Sequence, residues 1–208
     1  MRSRGTCAFR RAAISLAVAA LVILGGCLSG PGPQDRFYRL EVPDAAARLE
    51  LPRLRGRLLV DSLRADGMTR DRQMLYRKAG DPSQVRREGY DHWVDVPPLM
   101  VQRAVVEFLR SANAAEVVVT PEMRVDADFR LGGRVHRFER LVGGGSPHVT
   151  VELGLTLVRE EDGEPLLLET YREDQEVAGS EIGDSVEAFS QALHRILERL
   201  VLDLPEER

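Results

Sequence analysis

One cysteine stands where this chain can do chemistry. Arg2, Arg4, Arg10 and Arg11 form a basic head without an acidic residue, and an apolar run from Ala12 to Leu24 leads into Gly25-Gly26-Cys27. This is the three-part layout of a secretory signal peptide. Two small residues ahead of a cysteine, at the end of the apolar run, form the pattern at which bacteria attach lipid to the sulfur. The run of about 13 residues would make a helix of roughly 20 Å, short of the ~30 Å hydrocarbon core, so a permanent span is not expected. The competing reading is an ordinary signal peptide in which Cys27 happens to lie near the cut. The placement favours cleavage after Gly26 and acylation of Cys27, with palmitate among the expected chains, as in an exported lipoprotein.

No second constellation of this kind is present in the sequence. None of His92, His136, His148 and His194 lies three or four residues from another histidine or a cysteine, so metal-ligand spacing is missing. Ser146-Pro147-His148 is not framed as a nucleophile elbow. Gly143-Gly144-Gly145-Ser146 lacks the lysine and following helix of a phosphate-binding loop. The acidic run Glu160 to Glu164 lacks the alternating ligands and distal glutamate of a calcium loop. The expectation is therefore no catalytic residue, no metal, no cofactor and no enzyme. What remains is Tyr90-Asp91-His92-Trp93, ahead of Pro97-Pro98, which holds the only tryptophan. Trp93 either caps the core between sheet and helix or, with Tyr90, belongs to a partner-contact surface; both readings stay open.

Cleavage changes the charge. Losing four arginines and no acidic group takes the formal charge from −4 to −8. Such a domain is a poor nucleic-acid binder, which needs a basic face, and its net charge does not hold it to an anionic membrane. Attachment must come from lipid. Cys7 leaves with the signal, so Cys27 becomes the sole thiol and no disulfide can form within the mature chain. Lys78 is the only lysine, which makes single arginines uninformative.

The elements that must carry this anchor divide the chain into a signal peptide (1–26), a lipidated tether (27–35) and an α+β domain (36–208). Leu28 to Gln34 is small and turn-rich. Short strands are expected at 37–42, 56–62, 73–77 and 90–94, with a loop over 64–71 and a closing turn at Gly80-Asp81-Pro82. A helix opens at Pro97-Pro98 with Val101, Ala104, Val105, Phe108 and Ala112 on one stripe. Val117 to Val119 is a buried strand. Alternation over 125–135 and 149–157, then Asp162-Gly163 and a strand over 165–177, predict an antiparallel meander with one wet face. A long helix is expected over 185–204, capped by Asp184 with Glu187 three residues on. Together these predict a single domain with a largely antiparallel sheet and two main helices on one face.

In order and spacing, Cys27, Phe37-Tyr38-Arg39-Leu40, Asp71 to Arg77, Tyr90 to Trp93 and the helix with Val105 and Leu109 resemble the ABC-type transport auxiliary lipoproteins. That group includes the paraquat-inducible lipoprotein of Gram-negative bacteria. The resemblance covers most of the chain; the Gly-rich stretch at 143–145 has no place in it. It implies a non-catalytic periplasmic partner of transport systems built on mammalian-cell-entry (MCE) proteins, which move lipids or other hydrophobic molecules between membranes. It further implies an anchor in the outer membrane, consistent with Leu28 rather than aspartate after the cysteine. A homo-oligomeric ring is expected only from the symmetry of the transporter tube. Two alternatives stay open: a periplasmic lipid carrier with a cavity between sheet and helices, and an envelope-assembly lipoprotein.

Overall fold

The structure, a computed structural model, describes residues 32–206. Strands β1 (Arg36–Tyr38), β2 (Leu54–Val60), β3 (Arg64–Ala65), β4 (Gln73–Lys78) and β5 (Asp81–Trp93) come first. Helix α1 (Pro97–Ser111) and β6 (Ala115–Val119) follow, then β7 (Phe129–Val142), β8 (His148–Arg159), β9 (Pro165–Glu176) and helix α2 (Ile182–Asp203). Residues from Asp35 onward form one compact unit.

The long strand β7 is the spine of the sheet. Along one edge it pairs with β8 in antiparallel register, from Phe129↔Arg159 to Leu141↔His148. Along its other edge three short strands lie end to end, all parallel to it: β2 at Leu58↔Phe129, β3 at Arg64↔Arg134 and β4 at Leu75↔Glu139. Strand β6 extends the sheet beyond β2, while β5 and then β1 extend it beyond β4. The expected meander is present as β7-β8-β9, and the fold is α+β with two helices on one sheet. The sheet as a whole is mixed, because the strands of the first half join β7 in parallel.

The β7–β8 register shifts between Val135 and Arg137, leaving His136 as the extra residue of a bulge. Gly133 is required beside it, since a Cβ there would lie 2.2 Å from the Gly154 carbonyl oxygen. Gly80 lies in the turn joining β4 to β5, and what reads as a fourth short strand is the end of the 13-residue β5. The last helix starts earlier than Asp184. Glu181 is the cap and Asp184 its reciprocal partner, accepting the Glu181 amide at 2.9 Å. An acid pair thus replaces the Asp184–Glu187 box, and it places negative charge against the positive helix N-terminus.

On one face, Val149, Val151, Leu153, Leu155 and Leu157 of β8 meet Phe189, Leu193, Ile196, Leu197 and Leu200 of α2 in one apolar core. Val101, Val105, Phe108 and Leu109 of α1 join the same core. The opposite face carries ion pairs, among them Arg137–Glu152 at 3.3 Å and Arg172–Asp174 at 2.9 Å. Burial alone would push the Asp174 carboxyl up, but hydrogen bonds from Arg172 and Thr150 outweigh it and hold the group below its ordinary value. A depressed folded-state value stabilises above the unfolded value of about 3.9 and ceases to do so as pH falls through the folded one. Asp174→Asn is therefore expected to lower the urea midpoint at pH 7. That deficit should shrink once pH drops below about 4; a deficit constant with pH would contradict the assignment.

Candidate functional site at the root of the tether

Cys27 and Gly26 lie outside the described residues, and the described chain enters the domain at its N-terminal end. It does so through β1, only three residues long and parallel to β5, with Arg36↔Asp91 and Tyr38↔Trp93 in register. So short a strand cannot hold by backbone pairing alone. Side chains supply the rest.

Asp91 is 5% exposed and is clasped from both ends of β1. Arg36 donates to both of its oxygens, Nε to Oδ1 at 2.8 Å and Nη2 to Oδ2 at 2.9 Å, and the Tyr38 hydroxyl donates to Oδ1 at 3.1 Å. A bidentate guanidinium–carboxylate pair fixes orientation as well as distance. The hydrogen bonds and charge of Asp91 push the Arg36 guanidinium above its ordinary value. Burial pushes the Tyr38 phenol up, and its bond to Asp91 adds to the shift. The Val94 amide then closes the strand end by donating to the Tyr38 carbonyl at 2.9 Å.

Residues 39–53 continue as a strap over both helices. Ser190 of α2 donates its hydroxyl to the Glu41 carbonyl, and Ser111 of α1 accepts the Ala45 amide at 3.0 Å. Asn113, held in the left-handed region at φ 58°, donates its side-chain amide to the Leu49 carbonyl at 2.9 Å. The N-terminal part of the described chain is thus tied to the sheet by β1 and to the helices by the strap.

Alternation along β5 decides what each neighbour does. Trp93 points inward and is 1% exposed, meeting Phe138 and Phe189 edge-on at centroid distances of 5.3 and 5.4 Å. Those two rings stack on each other at 4.4 Å. Trp93 therefore sits in the core between β5, β7 and α2. Tyr90 faces outward, 47% exposed. On the outer side His92 stacks on Phe37 at 5.5 Å and its Nε2 lies 3.4 Å from Asp35. The Arg72 guanidinium sits 5.3 Å from the centre of the Phe37 ring. Asp35, Phe37, Arg70, Arg72, Gln73 and His92 line an open cleft of about 430 Å³.

The other sequence motifs are not brought here. His148 bonds the Ser146 carbonyl within its own loop at 2.7 Å, His194 packs edge-on against Phe108, and His136 lies over Gly154. Among the described residues no group of three His, Cys, Asp or Glu side chains is placed to hold a metal ion. What the arrangement does is structural: Asp91 ties β1 to β5 through side chains. Sequence reasoning missed this clasp, because Arg36 and Asp91 are 55 residues apart and no spacing rule connects them. Asp91→Ala is expected to cost about 2 kcal/mol, the loss of hydrogen bonds to one buried charged group. It should also speed hydrogen exchange at the Val94 amide; unchanged exchange there would show that β1 holds without the clasp.

The same fold occurs in solved structures. A protein from Xanthomonas campestris matches with a TM-score of 0.71 at 21% identity, over 80% of this chain and 92% of its own. An uncharacterised protein matches with a TM-score of 0.66 at 13% identity, over 82% of this chain and 99% of its own. At such identities the likeness is one of fold. A search of curated proteins finds no match to the sequence. The family model of the ABC-type transport auxiliary lipoprotein component matches residues 38–201, from the β1 clasp to the last turns of α2, and the chain belongs to that family.

Proposed function

We propose that this protein is an outer-membrane lipoprotein, acylated at Cys27, that serves as the non-catalytic docking component of an ABC transporter built on an MCE-type protein. Its cargo class is lipid or other hydrophobic molecules passed between membranes. Family membership carries the reading, together with a lipid-attachment pattern eight residues ahead of the first structured tie, Asp35. Among the described residues no helix is long and apolar enough to cross a membrane. Two or more acyl chains on Cys27 would give stable anchoring where one gives only marginal binding.

The space between sheet and helices is occupied by side chains such as Trp93, Phe138, Phe189 and Leu193, each 1% exposed or less. That filling favours action by surface contact over carriage of an acyl chain inside the domain. The ring of several copies is part of the same proposal, motivated by the symmetry of a tube-forming partner. Affinity purification of a C-terminally tagged chain, after cross-linking in cells and solubilisation in detergent, tests all of this. The expected result is co-purification of an MCE-type protein from membranes that band with outer-membrane markers. Recovery of the chain alone from the inner-membrane fraction would overturn the proposal. Recovery of a monomer bound to the MCE-type protein would remove only the ring.

A further inference from the structure

We propose that Arg110 of α1 and Arg199 of α2 are edge guards. Each occupies, from its helix, a main-chain acceptor on an open edge of the sheet, and together they keep the domain from joining a second copy of itself by strand pairing. Among the described residues β6 pairs only with β2 and β9 only with β8, so each leaves one long side unpaired. A row of unpaired N–H and C=O groups is a template for another strand.

Hydrogen-bond parity shows which groups face out. The Asp61 amide donates to the Leu131 carbonyl, so the odd-numbered residues of β2 bond β7 and Leu58 is left to bond β6. Leu58 lies opposite Val118, so its bonds go to Val117 and Val119, and the Val118 N–H and C=O point to the open side. That carbonyl is already taken. The Arg110 guanidinium closes on it, with Nη2 at 2.8 Å and Nε at 3.2 Å. Across the sheet, the Val177 amide donates to the Pro147 carbonyl, which turns the odd-numbered residues of β9 toward β8 and Arg172 outward. The outward Arg172 carbonyl accepts from Arg199 Nη2 at 3.1 Å. Two edges far apart in sequence carry the same plug. Arginine as a residue type carries little weight in a chain with a single lysine; the repeated placement does.

The strands themselves show why a plug is needed. Strand β6 reads Ala-Glu-Val-Val-Val and leaves Val117 49% exposed, a short β-branched run with one charge. Strand β9 opens on Leu166, Leu167 and Leu168, the last 76% exposed. The edge along β5 is blunted by its own residues, since Pro82 has no N–H to offer and Arg86 and Arg87 follow. A guanidinium suits the guarding role because its planar fork covers an acceptor with more than one donor. It also adds a charge that an incoming strand would have to bury. Glu173 at 2.9 Å and the face of Tyr171 hold Arg199 in position for this.

Arg110→Ala keeps a strong helix former at its position and removes the plug. The full-length native chain and the variant are compared in the same detergent by light scattering after size-exclusion chromatography, and by hydrogen exchange over residues 115–119. At high protein concentration the variant is expected to show about twice the native mass, the signature of two copies paired through one edge. Its exchange over 115–119 should slow several-fold as concentration rises, while the native chain shows neither change. Adding Val117→Lys places a charge on the paired edge of each copy and should restore the native mass. Arg199→Ala carries the same expectation for residues 170–176.

An Arg110→Ala chain with the native urea midpoint, the native mass and concentration-independent exchange overturns the guard. So does association that Val117→Lys leaves intact, because it would not run through β6. Should the alanine variant fail to fold, Arg110→Gln, shorter and uncharged, decides the matter by the same two readings.

Discussion

Cys27→Ser, exported behind an ordinary cleavable signal, is expected to abolish fatty-acid incorporation completely and to leave the domain unable to stay with a membrane. The reason is elementary. The thiolate is the nucleophile that a serine hydroxyl does not replace at neutral pH, and the sequence after position 27 holds no other cysteine. Each buried methylene contributes about 0.8 kcal/mol, so the acyl chains proposed on Cys27 would supply essentially all of the membrane affinity. Metabolic labelling with an alkyne fatty acid, followed by immunoprecipitation, reads the result directly. Undiminished labelling of the serine variant would place the acyl group on another residue and overturn the assignment of Cys27.

Trp93→Ala is expected to have the largest effect on folding, about 3–5 kcal/mol. Trp93 is 1% exposed and touches both Phe138 and Phe189, which themselves stack at 4.4 Å. Truncation would remove the centre of a three-ring cluster that joins β5, β7 and α2, leaving a cavity that rigid strands on two sides cannot close. Against a total stability of about 5–15 kcal/mol, this is a fifth or more of what holds the domain. Tyr90→Ala, three residues away on the wet side, should change stability by less than about 0.5 kcal/mol. Urea unfolding of the two variants checks the contrast. Equal midpoints would mean that the alternation along β5 does not decide which side chain is structural.

The contrast between Trp93 and Tyr90 also shows what the sequence made legible. Period-two alternation located β7 and β8, and the Asp162-Gly163 turn located the hairpin into β9. The 3.6-residue stripe located both helices. Pairing was another matter. Alternation tells which face of β2 or β4 is buried, not which neighbour it meets, and these strands reach β7 only after long excursions. The parallel half of the sheet was therefore hidden in Leu58↔Phe129 and Leu75↔Glu139, contacts across about 70 and 60 residues of chain. The start of α2 was misplaced by one turn because glutamate is an uncommon cap, and Asp184 is the stronger cap residue by type.

The candidate site divides along the same line. Cys27 is read from a linear pattern of the kind that export machinery recognises, and it lies outside the described residues. The Arg36–Asp91–Tyr38 clasp was not legible, because its parts meet only when β1 lies beside β5. Trp93 was visible as a singular residue, but only the fold places it inward and leaves Tyr90 and Phe37 on the surface.

The central claim is that this protein works by holding a binding module at a membrane through Cys27. Complementation tests it most directly. Cells lacking the gene would receive either the native chain or a Cys27→Ser chain exported behind an ordinary cleavable signal. Both should yield a folded domain of the same stability. Only the native chain is expected to restore movement of labelled lipid between the two membranes. Full restoration by the unanchored domain would contradict the account.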